Sequence, residues 1–166
     1  MKLPPVISVV GKSGVGKTVF LERLVAELKG RGYLIGTVKH DVHGFQIDEP
    51  GKDSWRHAQA GSDTVVISSP DKVAMIKRVE QEMPLDEIVE SYLGDVDLVL
   101  TEGYKSGPKM KIEISRRERS QQLVSSPEDL IAIVADQGFD ITIPQFDLAD
   151  ACGVADLIEE RFLGAQ

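Results

Sequence analysis

Eight residues near the start of the chain, Gly11-Lys12-Ser13-Gly14-Val15-Gly16-Lys17-Thr18, limit more than any other stretch what this sequence can become. They follow the apolar run Val6-Ile7-Ser8-Val9-Val10 and open the helical pattern Leu21, Leu24, Val25, Leu28. Strand, glycine-rich loop, Lys-Thr and helix thus stand in the order that a phosphate-binding P-loop requires. Gly11, Gly14 and Gly16 allow a tight turn that brings successive N–H groups against phosphate oxygens, and the positive end of the following helix adds a fixed field there. Lys17 is expected to reach the β- and γ-phosphates. The Thr18 hydroxyl, on the first helical turn, is expected to take one position on an octahedral Mg²⁺ ion. The eight residues read as a site for a nucleoside triphosphate; an ordinary glycine-rich turn is the alternative, and the complete context argues against it.

The rest of the chain supplies an α/β setting for that loop. Strand-like runs at Val6–Val10, Leu34–Lys39, Thr64–Ser68, Val73–Lys77, Val96–Thr101, Lys111–Ser115 and Leu130–Ala135 alternate with helical patterns at Thr18–Lys29, Leu85–Leu93 and Ala151–Phe162. Val6–Val10, Val96–Leu100 and Leu130–Ala135 are continuously apolar apart from Ser8 and Asp97, as expected of central parallel strands covered on both faces. The expectation is a doubly wound, mostly parallel sheet. Thr64–Ser68 and Val73–Lys77, joined through Ser69-Pro70-Asp71, read instead as a small antiparallel hairpin insertion. At 166 residues the chain has the size of one domain, and no repeat or linker interrupts it.

Charge and cysteine content narrow the functional classes. A net charge of −8 gives no long-range attraction to nucleic acid or to an anionic membrane, so phosphate must be drawn in locally. Cys152 is the single cysteine, which excludes an internal disulfide and suits a reducing cytoplasm. Met1-Lys2-Leu3-Pro4-Pro5 leads into a strand without a cleavable apolar segment, and no run approaches a membrane span. A cytoplasmic protein is expected.

In an open α/β sheet ligands lie beyond the carboxyl ends of the strands, so each acid is judged by the end of its strand that it occupies. Glu102, just past Val96–Thr101, is the stronger candidate for the Mg²⁺ side or for orienting water, with a turn role before Gly103 as the plainer alternative. Asp97, at the other end, reads as a solvated strand start. Asp41, after Leu34–Lys39 and His40, emerges on the loop side and is a candidate to bind Mg²⁺ directly or through water. Lys39, His40 and His43 lie beside it, without the thiolate or third ligand that zinc would need. Asp136 closes Leu130–Ala135, where a carboxylate can accept from guanine N1–H and N2–H₂, a donor pair that adenine lacks; GTP is thereby favoured over ATP, and a turn or cap role is the alternative.

Two stretches stay open between readings. Phe45–His57 suits an active-site loop in which Lys52 or Arg56 meets charge, or a helix start with Asp53 as N-cap and Trp55 as anchor. Lys105, Lys109, Lys111, Arg116, Arg117 and Arg119 either meet an anion or face solvent along an edge strand.

Taken together, Gly11–Thr18, Thr37-Val38-Lys39-His40-Asp41-Val42-His43, Pro50-Gly51-Lys52-Asp53-Ser54-Trp55-Arg56 continuing to Ala60-Gly61, and Leu100-Thr101-Glu102-Gly103-Tyr104-Lys105 resemble the molybdopterin-guanine dinucleotide biosynthesis protein B family. The resemblance implies a P-loop GTPase-like protein that binds GTP and Mg²⁺, hydrolyses GTP slowly and forms a homodimer. It further implies association with the guanylyltransferase that joins GMP to molybdopterin. Lys12 also occupies the place of the signature lysine of the deviant Walker motif of dimeric ATPases, where such a lysine reaches a phosphate across the dimer. Two other functions on the same fold are a small-metabolite kinase, which would need an arginine-bearing lid, and a non-catalytic adaptor whose GTP orders loops near Asp41 and Glu102.

Overall fold

The computed structural model describes residues 3–104, 107 and 110–164. It divides the chain into two compact units, Met1–His40 with Leu85–Gln166, and Asp41–Pro84.

The larger unit is built on a six-stranded sheet of β1 (Val6–Val10), β2 (Ile35–Lys39), β5 (Leu98–Glu102), β6 (Lys111–Ser115), β7 (Leu130–Ala135) and β8 (Gln145–Phe146). Their order across the sheet is β2-β5-β1-β6-β7-β8, and every pairing is parallel. Apolar continuity explains the centre: Ile7, Val9, Leu98, Val99, Leu100, Ile112 and Val134 are all fully buried. Helix α1 (Lys17–Gly30) buries Phe20, Leu24 and Leu28, and α4 (Ala151–Ile158) buries Val154, Ala155 and Ile158 in the same cluster. Asp150 starts α4 by accepting from Gly153 N–H at 2.8 Å. Arg31, at the end of α1, ties the two helices: its guanidinium meets Asp156 at 2.7 Å and Glu159 at 2.8 Å, and Tyr33 Oη donates to the other Glu159 oxygen at 2.6 Å. Helix α3 (Leu85–Tyr92) follows Pro84 and buries Val89.

The smaller unit holds α2 (Asp53–Gln59) and the antiparallel pair β3 (Thr64–Ser69) and β4 (Lys72–Lys77). Pro70-Asp71 forms the turn, where Ser69 Oγ donates to Asp71 Oδ1 at 2.7 Å. Trp55 lies with Phe45, Ile47, Ala58 and Ile76 around a small pocket, and Arg78 Nη2 bonds the Ala58 carbonyl at 2.7 Å.

Several sequence expectations are corrected here. The cap of α2 is Lys52, with Asp53 at the first helical position, where its charge still favours the helix N-terminus. The last helix leaves the α pattern after Ile158 and ends in a π-type turn, Glu159–Leu163. Asp97 is no idle strand start, because its Oδ2 accepts from Leu34 N–H at 2.7 Å and fastens the entrance of β2 to β5. Most consequentially, β6 is an interior strand. Lys111 is buried against Asp129 at 3.1 Å, and Glu113 is buried while accepting from Val124 N–H at 2.7 Å and Ser125 N–H at 2.9 Å. The edge-strand reading of the basic stretch therefore fails, and its members Lys105 and Lys109 lie outside the described residues.

Candidate functional site

The Gly11–Gly16 loop leaves β1, which has β5 on one flank and β6 on the other; the chain runs from β1 towards β2 on one side and from β5 to β6 on the other. That is the place where an open α/β sheet offers a crevice. Two glycines are required by the backbone itself. A Cβ on Gly11 would come 2.4 Å from the Ile114 carbonyl oxygen, and Gly16 caps α1 in a left-handed conformation (φ 96°) that side chains resist. The first N–H groups of α1 follow the loop and, as at any helix start, have no partners within the helix itself. Lys17 Nζ is held at the loop by the carbonyls of Lys12 at 2.9 Å and Gly11 at 3.2 Å.

The β5 flank carries the acid. Glu102 ends β5, and its Oε1 accepts from Thr18 Oγ1 at 2.9 Å although the two residues lie 84 positions apart. Adjacent ligands of an octahedral Mg²⁺ at about 2.1 Å from the ion stand about 3 Å apart, so the two oxygens fit one edge of such a shell. Thr18 and Glu102 are therefore the residues that would hold the ion, and the charge it supplies would neutralise phosphate oxygens. The position of Glu102 is fixed by its surroundings: its carbonyl accepts from His40 N–H at 2.9 Å, and the His40 ring stacks on Tyr104 with centroids 4.6 Å apart. Among the described residues no three His, Cys, Asp or Glu side chains gather as a metal site. Asp41 belongs to the smaller unit, where its Oδ1 accepts from His43 N–H at 3.0 Å.

The β6 flank carries the positive charge. After Ser115 the chain makes one helical turn, with the Arg116 carbonyl accepting from both Arg119 N–H and Ser120 N–H at 2.9 Å. Side chains three apart then share one side, and both arginines reach the loop. Arg116 Nε donates to the Val15 carbonyl at 2.8 Å. A Cβ built on Gly14 would stand 3.4 Å from the Arg119 guanidinium, and one on Gly16 3.5 Å from Arg116 Nη2. Residues at the end of β7 brace the turn: Asp136 Oδ1 accepts from Arg117 N–H at 2.8 Å, and Gln137 Nε2 donates to the Ser120 carbonyl at 2.7 Å.

The structure thus brings together Gly11, Lys12, Ser13, Gly14, Val15, Gly16, Lys17, Thr18 and Glu102, and sets Asp136 two strands from the loop on the arginine flank. The sequence offers Arg116 and Arg119 only as members of a basic stretch that meets an anion or faces solvent, and does not place them at this loop. Their signal is the same strand-end position that marks Glu102 and Asp136, together with a three-residue spacing that one helical turn aligns.

Comparison with known proteins adds a consistent set of relatives. A family model described as molybdopterin guanine dinucleotide synthesis protein B matches residues 6–136. The molybdopterin-guanine dinucleotide biosynthesis adapter protein of Haemophilus influenzae is 33% identical over 98% of this chain and 93% of that relative. Its namesake from Escherichia coli is 31% identical over 94% and 92%, respectively. The crystal structure of Bacillus subtilis MobB superposes with a TM-score of 0.76 at 28% identity, covering 95% of this chain and 98% of that one.

Proposed function

The chain belongs to the molybdopterin guanine dinucleotide synthesis protein B family, and on that footing we propose that it is an adapter of molybdopterin-guanine dinucleotide biosynthesis that binds GTP with Mg²⁺ and hydrolyses it weakly. In this reading it assists the guanylyltransferase that attaches GMP to molybdopterin, and it acts as a homodimer. One observation carries the nucleotide assignment: the Thr18 hydroxyl and the Glu102 carboxylate meet at 2.9 Å beside the glycine-rich loop and Lys17 at the N-terminus of α1. Glu102 would orient the ion shell or the attacking water, and Asp136 would read the guanine edge. The homodimer is supported by the hairpin, where Val66, Val73 and Met75 share one face and stand 58%, 68% and 42% exposed.

Titration calorimetry of GTP against ATP with Mg²⁺, followed by guanylyltransferase yield with and without added protein, tests nucleotide and pathway together. GTP should bind more tightly than ATP, and the yield of guanylylated cofactor should rise. Lys17→Ala should abolish binding, because the mobile charge on the β- and γ-phosphates is lost. Glu102→Gln should retain binding and slow turnover. A folded parent protein with no affinity for either triphosphate, or a Glu102→Gln variant turning over at the parent rate, would count against these roles.

A further inference from the structure

Arg116 and Arg119 lie against the phosphate loop on the flank opposite Thr18 and Glu102, and this arrangement asks for an anion. Lys17, the N-terminus of α1 and the two guanidinium groups crowd positive charge around a few residues of main chain in a molecule whose net charge is −8. Among the described residues neither arginine pairs with a carboxylate. The Arg116 group is engaged with the Val15 carbonyl, whereas the side chain of Arg119 is exposed, makes no hydrogen bond to a described residue and rests beside Gly14. Two guanidinium groups brought together without a carboxylate repel one another, and a bound anion removes that cost.

Strand order indicates which part of the anion Arg119 meets. Thr18 and Glu102, which would hold the ion, sit at the β5 flank, so the β- and γ-phosphates that the ion would neutralise belong on that side of the loop. Strands are spaced by about 4.8 Å, which puts β6 about 10 Å from β5 on the far side of β1. A nucleotide laid across the loop therefore presents its α-phosphate and ribose to the β6 turn, and the next strand along, β7, ends in Asp136.

We propose that Arg119 binds the α-phosphate of the nucleotide, forming the nucleoside-side wall of the phosphate site. The proposal rests on the nucleotide reading given above. Because the α-phosphate is common to the di- and triphosphate, the arginine grips GDP and GTP alike and does not respond to the γ-phosphate. A planar five-donor fork suits this contact better than a point charge.

Calorimetric titration of GTP and of GDP, each with Mg²⁺, into the parent protein, Arg119→Ala and Arg119→Lys tests it. Arg119 is exposed, so both variants are expected to keep the parent's thermal melt. Arg119→Ala should weaken GDP and GTP by the same factor, about 10- to 100-fold for a charge-assisted contact, and Arg119→Lys should recover part of the loss. Undiminished affinity for both nucleotides overturns the assignment. So does a loss confined to GTP, which would move the contact to the γ-phosphate. If the parent itself binds neither nucleotide, the nucleotide reading falls and takes this inference with it; if the parent binds and Arg119→Ala binds equally well, only the arginine assignment falls.

Discussion

At the scale of single residues, the buried polar groups show why the sheet centre tolerates them. Ser8 interrupts an apolar strand and Thr101 another, yet both are fully buried because Thr101 Oγ1 donates to Ser8 Oγ at 2.8 Å across the β1–β5 pair. Replacing only one partner leaves the other desolvated and unpaired. Thr101→Val should therefore destabilise the fold by about 1–3 kcal/mol, and the double change with Ser8→Ala should recover part of that loss. Chemical denaturation of Thr101→Val, Ser8→Ala and the double variant would decide it; a double variant that loses as much as the two singles together would sink the pairwise account. Thr101 precedes Glu102, so this pair also anchors the strand end that carries the acid. Residue placements were legible in the sequence where strand position alone decides them, as for Glu102 at the end of β5 beside Thr18. They were illegible where a partner distant in sequence decides them, as for Asp97 on Leu34 N–H or Asp136 on Arg117 N–H.

At the scale of elements, the ends of α1 and α4 are joined by a charged cluster rather than by apolar contact alone. Hydrogen bonds from Tyr33 and Arg31 hold the Glu159 carboxyl below the usual glutamate range, and the same contact to Glu159 raises the Tyr33 phenol. Asp156, Glu27 and Glu159 raise the Arg31 guanidinium further, so it stays charged throughout. A depressed carboxyl in the folded protein means that its stabilising contribution is present above the ordinary glutamate value and is lost as the pH falls through the folded value. Tyr33→Phe removes the leading cause of that depression, so its stability should fall less steeply in acid than the parent's. Thermal melts across the acid range measure this, and parallel profiles would refute the linkage. The sequence announced α1 and β1 clearly, because apolar spacing, glycines and Lys-Thr agree. It understated α2, which buries no residue completely, and β8, which spans two residues and offers no periodicity. The reading of Lys111–Ser115 as an edge failed for a physical reason: Lys111 and Glu113 look solvent-facing until Asp129 and the N–H groups of Val124 and Ser125 are seen to satisfy them inside.

At the scale of the whole molecule, the parallel sheet could be anticipated from its unbroken apolar strands, but its order could not. Only the order β2-β5-β1-β6-β7-β8 reveals that the phosphate loop has an acidic flank and a basic one. The hairpin was legible as a unit, since Ser69-Pro70-Asp71 separates two β-rich runs. Its exposed apolar face is what a second copy of the chain would cover in the proposed dimer. Introducing charge there, as in Val73→Glu with Met75→Glu, should yield a monomer by sedimentation equilibrium with the circular dichroism spectrum unchanged. A variant that retains the parent's mass in solution would place the dimer contact elsewhere.

The turn after β6 closes on the Arg116 carbonyl and is braced from the neighbouring strand by Asp136 and Gln137. A base that met the Asp136 carboxylate, as proposed above, would bear on the same scaffold that carries the arginines, so choice of base and strength of grip would be two readings of one lever. A wrong base would be released not only for want of its own hydrogen bonds but because the hand on the phosphate loosens with it.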